Sequence, residues 1–372
     1  MVVAGTVFAA IGGVAAQLTE SAGTARGIGV TVLGAAYVLR VVGDVSGQSG
    51  GAIGWLSWLS PIGWAHRINP YAGGNWWPVA LAVLVAAVLV VVAVALSARR
   101  DVGAGVFPPR LGRAAATPGF RSPFALAWRL HRGLLAGWTI GFAVLGLVLG
   151  GVAKGVGDLV RDNPRLADVF ARMGGRAGLI DSYLAAIMGI SGLIAAGYAI
   201  QATLRLRAEE TGTRAEPVLA TAVGRLRWAG GHLFFSALGP AAALAAVGLT
   251  GGLTHGLNTG DVGRQLPRVL AGALVQLPAV WVLAAVAVAL TGLVPRLAAA
   301  SWGALGVCLL IALVGAALQL NHWVLDVSPF THVPRVPGGD VSAVPLVWLV
   351  GVVAALVAAG LVGLRRRDIP VT

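Results

Sequence analysis

The chain has 372 residues, of which 57% are hydrophobic and 11% charged, with a mean hydropathy of +0.84. Soluble domains carry about a quarter charged residues, so this composition excludes one and predicts an all-α polytopic membrane protein in contact with the lipid bilayer. The formal charge of +13 does not predict a nucleic-acid partner, because the arginines fall between apolar runs, as the positive-inside rule requires.

A helix needs about 20 residues to cross a hydrocarbon core of about 30 Å. Two weaker candidates come first, 2–16, which is short, and 27–43, which carries Arg40 near an end where its side chain can snorkel. Met1 is followed at once by Val2, Val3 and Ala4, without the basic region of a cleavable signal peptide. The Trp-rich, proline-broken stretch 55–77 predicts short helices at the outer interface, where indole rings favour the headgroup level. It either caps a pathway or serves only as an aromatic belt.

Seven stronger candidates follow at 79–97, 133–152, 183–204, 229–249, 269–290, 297–318 and 344–364, giving about nine transmembrane helices. The stretch 122–132, SPFALAWRLHR, is expected to lie at the interface before its span, as a structural element or a lipid anchor. Gly133 with Gly137, and Gly146 with Gly150, have the small-xxx-small spacing that lets membrane helices approach closely, although 54 glycines make chance matches expected.

Residues 205–228, RLRAEETGTRAEPVLATAVGRLRW, form the one densely charged stretch between two spans. Glu210 and Arg214 stand at i,i+4 spacing, with an apolar patch at Val218, Leu219 and Val223. The reading is a short amphipathic helix lying on the cytoplasmic face, or else a solvated loop whose charges set topology. Its mixed charges suit docking on a protein more than on anionic lipid.

Lys154, between Ala153 and Gly155, is the one lysine and lacks the following Ser or Thr of a phosphate-binding loop, so no ATPase motif of the chain's own is expected. The lone Cys308 excludes an intrachain disulfide. His66, His131, His232, His255, His322 and His332 show no metal-ligand spacing, so no cofactor or metal is predicted and structural histidines are expected. No paired acids fall within the spans, which disfavours an ion-coupled carrier or channel. A membrane-embedded transferase is disfavoured by the lack of clustered acids or histidines.

Two stretches close alike. Ser60-Pro61 leads to Arg67 and, through an apolar run, to Arg99-Arg100-Asp101; Ser328-Pro329 leads to Arg335 and then to Arg366-Arg367-Asp368. This predicts two tandem homologous halves, the last three helices of the first in 1–115 and a complete six-helix second half in 116–372. The arginines place the C-terminus in the cytoplasm and Met1 outside, so three further upstream helices are expected in the natural protein or its ancestor. The alternative is a nine-helix protein starting at Met1.

Residues 205–228 resemble the cytoplasmic element of type-2 permeases of ATP-binding-cassette (ABC) transporters, Glu-x-x-Gly-Thr-x-x-Glu-x-Leu-Leu-x-(Ser/Thr)-Pro-Val-x-Arg. Glu209 or Glu210, Gly212, Thr213, Glu216, Leu219, Thr221, Val223 and Arg225 match it, with Ala222 in place of the proline. The stretches 16–27, 59–77, the ARRDVGAG run from Ala98, and 328–340 are similar to actinobacterial permeases named as exporters of polyketide antibiotics. The resemblance implies a plasma-membrane permease coupled through these residues to a separate ABC ATPase subunit, acting as a dimer. It also implies export of a hydrophobic or amphipathic small molecule, and outer segments at Ser60, Pro61, Arg67, Ser328, Pro329 and Arg335 that cap the pathway.

Overall fold

The structure is a computed structural model that describes residues 2–48, 52–68, 74–101, 103–107, 115, 122–161, 175–315, 318, 321–339 and 342–367, with side chains of 45, 48, 154–161 and 175–177 left aside. Arg110, Arg113, Arg121, Arg165, Arg172 and Asp368, used above for topology and for the repeat, lie outside the described residues. The chain divides into two compact units, Met1–Ala115 and Ala116–Thr372.

In the first unit, α1 (Val2–Leu18), α2 (Ala22–Gln48), α3 (Pro61–Arg67) and α4 (Trp77–Ser97) are joined partly by a 3-10 turn at Gly54–Leu59. α4 begins with proline in its first turn, where the missing N–H costs nothing, and is apolar on every side. A helix of that kind is stable only in lipid or a large core. Its Ala82 packs on Val7 of α1 and Trp64 of α3, a small core completed by Trp58, Leu81 and Val85.

The second unit contains α5 (Pro123–Arg161), α6 (Gly175–Thr211), α7 (Glu216–Leu219), α8 (Arg225–Thr259), α9 (Val262–Leu274), α10 (Leu277–Leu293), α11 (Ser301–Val314), α12 (His322–Leu325) and α13 (Ala343–Arg366). Its core is built around α6, whose Ala195, Ala196, Ala199 and Ile200 are fully buried against Leu244, Val247 and Val280. Small side chains there bring backbones close, the main source of helix association in lipid.

Eight helices among the described residues are long and apolar enough to cross a membrane, and α1 follows as a shorter apolar helix of 17 residues. The helices overrun the apolar runs that revealed them, because polar ends continue the backbone ladder beyond the hydrocarbon. The expected interfacial stretch 122–132 is accordingly the first three turns of the unbroken 39-residue α5. The single span expected at 269–290 is present within Val262–Leu293, but its helix is interrupted after Leu274. Pro278 has no N–H for the Leu274 carbonyl, so α9 stops there and α10 starts anew. The span 297–318 begins in a 3-10 turn, Pro295–Ala300, and its helix ends at Val314.

Glycine spacing was informative at one of its two sites. A Cβ on Gly146 or Gly150 would strike Thr250 or Thr254 and the backbone of α8, so these glycines seat α5 on α8. Gly133 and Gly137 meet nothing within 4 Å.

Candidate functional site

The charged segment between α6 and α8 is a built turn, not a free amphipathic helix. α6 closes in a Schellman motif: Arg214 N–H donates to the Glu209 carbonyl at 3.0 Å and Thr213 N–H to that of Glu210 at 3.1 Å. The residue that must turn left-handed is Thr213, at φ 55°, where glycine is usual. Pro217 opens the single turn of α7, and Gly224, extended at φ −68° and ψ 148°, leads into α8.

Both acids point inward. Glu209 takes Arg205 Nε at 3.0 Å and Arg214 Nε at 2.9 Å, while Glu210 takes Arg207 at 3.3 Å and Arg367. Each glutamate is 5% exposed, whereas the Arg214 side chain is 61% exposed. Arg214 therefore pairs with Glu209, not with Glu210 as helical spacing predicted. The helix has already ended, and the left-handed Thr213 turns Arg214 back over the last turn of α6.

The apolar patch also points inward. Val218, Leu219 and Val223 pack on a core of Leu206, Ala215, Trp228, Ala229 and Leu364. Gly212, Thr213, Glu216, Pro217, Thr221 and Ala222 are exposed. Thr221 Oγ1 donates to the Val218 carbonyl at 2.7 Å, and its N–H to the same oxygen at 3.3 Å. The chain thus turns at Ala222 without the proline of the pattern. Arg225 donates to the carbonyls of Arg367 at 2.6 Å and Arg365 at 3.4 Å, placing a cation at the C-terminus of α13. Carbonyls left unpaired at a helix end, and the negative pole of its dipole, both favour that cation.

Immediately beneath lies a feature the sequence did not reveal. His131 Nε2 of α5 and His232 Nδ1 of α8 meet at 3.0 Å, with each residue at most 2% exposed. His131 stacks on Phe235 at 5.3 Å, and Trp228 lies edge-on to His232 at 5.6 Å. The histidines are 101 residues apart, so no local spacing could pair them. Between α6 and α8, Thr203 Oγ1 and Ser236 Oγ meet at 2.5 Å, and Tyr198 donates to the Phe235 carbonyl at 3.3 Å.

Ser60 and Ser328 adopt the same local form, extended N-caps at φ −105°, ψ 123° and φ −81°, ψ 124°, each followed by proline and a short helix. Neither hydroxyl makes a capping bond. The two arginines differ: Arg67 donates to Ser57 Oγ at 2.5 Å and covers the Trp58 ring at 3.8 Å, whereas Arg335 is exposed. Arg40 pairs with Asp44 at 3.2 Å, and Asp181 of α6 pairs with Arg268 of α9 at 2.9 Å. A wholly aliphatic cleft of about 380 Å³ opens between α11 and α12, lined by Leu310, Ile311, Val314 and Val324 among others. Among the described residues no cluster of three or more His, Cys, Asp or Glu could hold a metal.

Residues 120–365 match the family described as multidrug efflux system permease Rv1217c, C-terminal domain. Over 365 residues the chain is 46% identical to the multidrug efflux system permease protein Rv1217c of Mycobacterium tuberculosis (strain ATCC 25618 / H37Rv). That alignment takes in 98% of this chain and 66% of the relative, so the chain spans slightly under two thirds of its length.

Proposed function

The chain belongs to the Rv1217c multidrug efflux permease family, and from that premise we propose that it is the membrane permease of an ATP-driven exporter of the type-2 ABC class. The observation that carries this reading is the turn from Glu209 to Arg225. Its acids and apolar side chains hold it rigidly to the helix bundle, while Gly212, Thr213, Glu216 and Thr221 are left to a partner. A separate ATPase subunit, acting as a dimer, pushes on that surface, and α6 and α8 carry the displacement into the bundle. The turn and the C-terminus face the cytoplasm, as the arginine distribution implies.

The substrate is a hydrophobic or amphipathic small molecule of drug or polyketide type. The relative's name as a multidrug efflux permease and the aliphatic cleft beside α11 support this class. The Ser60 and Ser328 segments lie at the outer ends of two homologous halves. The test is co-expression with an ABC ATPase encoded nearby, co-purification, and ATP hydrolysis in lipid nanodiscs. Ethidium efflux that stops on ATP depletion and survives a protonophore supports the proposal. The reverse pattern supports an ion-coupled carrier.

A further inference from the structure

We infer that Arg367 is the positioning residue through which the turn between α6 and α8 moves α13 and α10 together, an inference that rests on the ATPase-driven reading above. Both legs of the turn are fastened to it. From the α6 side, the Glu210 carboxylate accepts the Arg367 guanidinium; from the α8 side, Arg225 donates to the Arg367 carbonyl at 2.6 Å. Arg367 is itself bound into α13, its N–H donating to the Gly363 carbonyl at 3.0 Å. The Glu210 side chain is 0% exposed and that of Arg367 15%, so water does not loosen the pair.

α13 cannot yield alone. It lies against α10 backbone to backbone: a Cβ on Gly360 would sit 2.6 Å from the Val288 carbonyl, and one on Gly363 2.7 Å from that of Gly292. Where α6, α8, α10 and α13 meet, the partly open crevice between them holds about 10 Å³, no more than about one water requires. Close-packed interiors transmit displacement instead of absorbing it. A push on the turn therefore draws α13 along, and α13 takes α10 with it.

Arg367→Gln isolates this link, because Glu210 keeps Arg207 at 3.3 Å and Arg225 binds α13 through the backbone carbonyls of residues 367 and 365, which the substitution leaves in place. The experiment uses the full chain co-purified with its ATPase in nanodiscs, in a Cys308→Ala background. Spin labels are placed at Ile140→Cys on α5 and Val352→Cys on α13, which are 64% and 41% exposed. Double electron resonance reads their separation without nucleotide and with vanadate-trapped ATP. In the parent protein ATP shifts the distance. Arg367→Gln cuts that shift by more than half while complex yield and ATP hydrolysis are retained, Arg367→Lys restores part of it, and adding Glu210→Gln to Arg367→Gln removes little more. An undiminished shift in Arg367→Gln, or no shift in a parent complex that hydrolyses ATP, overturns the inference. If no ATPase binds, the proposed function fails instead.

Discussion

Thr213 is a β-branched residue in a conformation that disfavours it, at the hinge of the proposed coupling turn. Its φ of 55° brings Cβ against the backbone, a strain of about 2 kcal/mol at the upper end of the range for L-residues. Thr213→Gly removes that strain. Against this stand about 0.5–1 kcal/mol for the extra freedom of glycine in the unfolded chain, and about 0.5 kcal/mol for the exposed bond from Thr213 Oγ1 to the Gly212 carbonyl. The net gain is about 0.5–1 kcal/mol, or about 1–4 °C in Tm for a unit of this size. Thr213→Pro must move in the opposite direction. Its ring holds φ near −65° and removes the N–H that reaches the Glu210 carbonyl at 3.1 Å, costing about 3 kcal/mol or more. Thermal unfolding in detergent at a fixed scan rate, followed by circular dichroism, reads both. A proline variant as stable as wild type, or a glycine variant less stable, would refute the left-handed turn and with it the Schellman ending of α6.

Replacing His232 with leucine strands the buried His131 nitrogen and is expected to cost about 1–3 kcal/mol, whereas leucine at both positions recovers most of the loss, as paired deletions do. Denaturant unfolding of the two single variants and the double variant decides this; additive losses would show that the 3.0 Å contact is not a mutual one. Gly360→Ala presses a Cβ on the Val288 carbonyl and is expected to cost about 1–3 kcal/mol by overpacking, while Gly133→Ala, facing open space, is neutral or gains up to about 1 kcal/mol of helix propensity. The same melting assay separates them. Arg67→Ala loses the Trp58 face, worth about 0.5–2 kcal/mol, and lowers Tm more than Arg335→Ala; equal effects would mean that the two Ser-Pro segments are held alike. Leu219→Ser lowers Tm with the ATPase absent, because Leu219 packs on the Trp228 core, while Glu216→Lys leaves Tm unchanged and weakens co-purification with the ATPase. An inverted result would put the apolar side of the turn outward.

Most of the helices were legible because bilayer-spanning runs are a matter of composition, and composition survives without any knowledge of packing. Their ends were not, since the ladder of α5 and α6 continues through polar residues such as Arg129 and Arg205 that hydropathy reads as loop. Pro278 could have been read as a break in 269–290. The apolar residues on both sides of it hid the interruption. Within the turn, residue types identified the right segment and misplaced its partners. The spacing of Glu210 and Arg214 assumes a helix that persists, and nothing in the letters marks Thr213 as left-handed where glycine would have. Arg367 and the histidine pair were illegible for a different reason: their partners are 157 and 101 residues away.

The inverted polarity of the turn bears on how force could pass through it. Had Val218, Leu219 and Val223 faced outward, a partner would have gripped an apolar patch and the turn would have been free to rock against the bundle. With those side chains partly buried against the core of Trp228 and Leu364, the proposed partner would meet mainly polar side chains and backbone, contacts that are individually weak and exchangeable with water. The strong contacts lie on the bundle side. Breaking the Glu210 contacts would leave a buried charge uncompensated, at about 3–5 kcal/mol, whereas an exposed pair contributes about 0–1 kcal/mol. A pull on the turn would therefore separate it from such a partner before separating it from α13. Under the proposed function, that ordering lets an ATPase bind and release the permease in each cycle while the turn and the helices behind it move as one body.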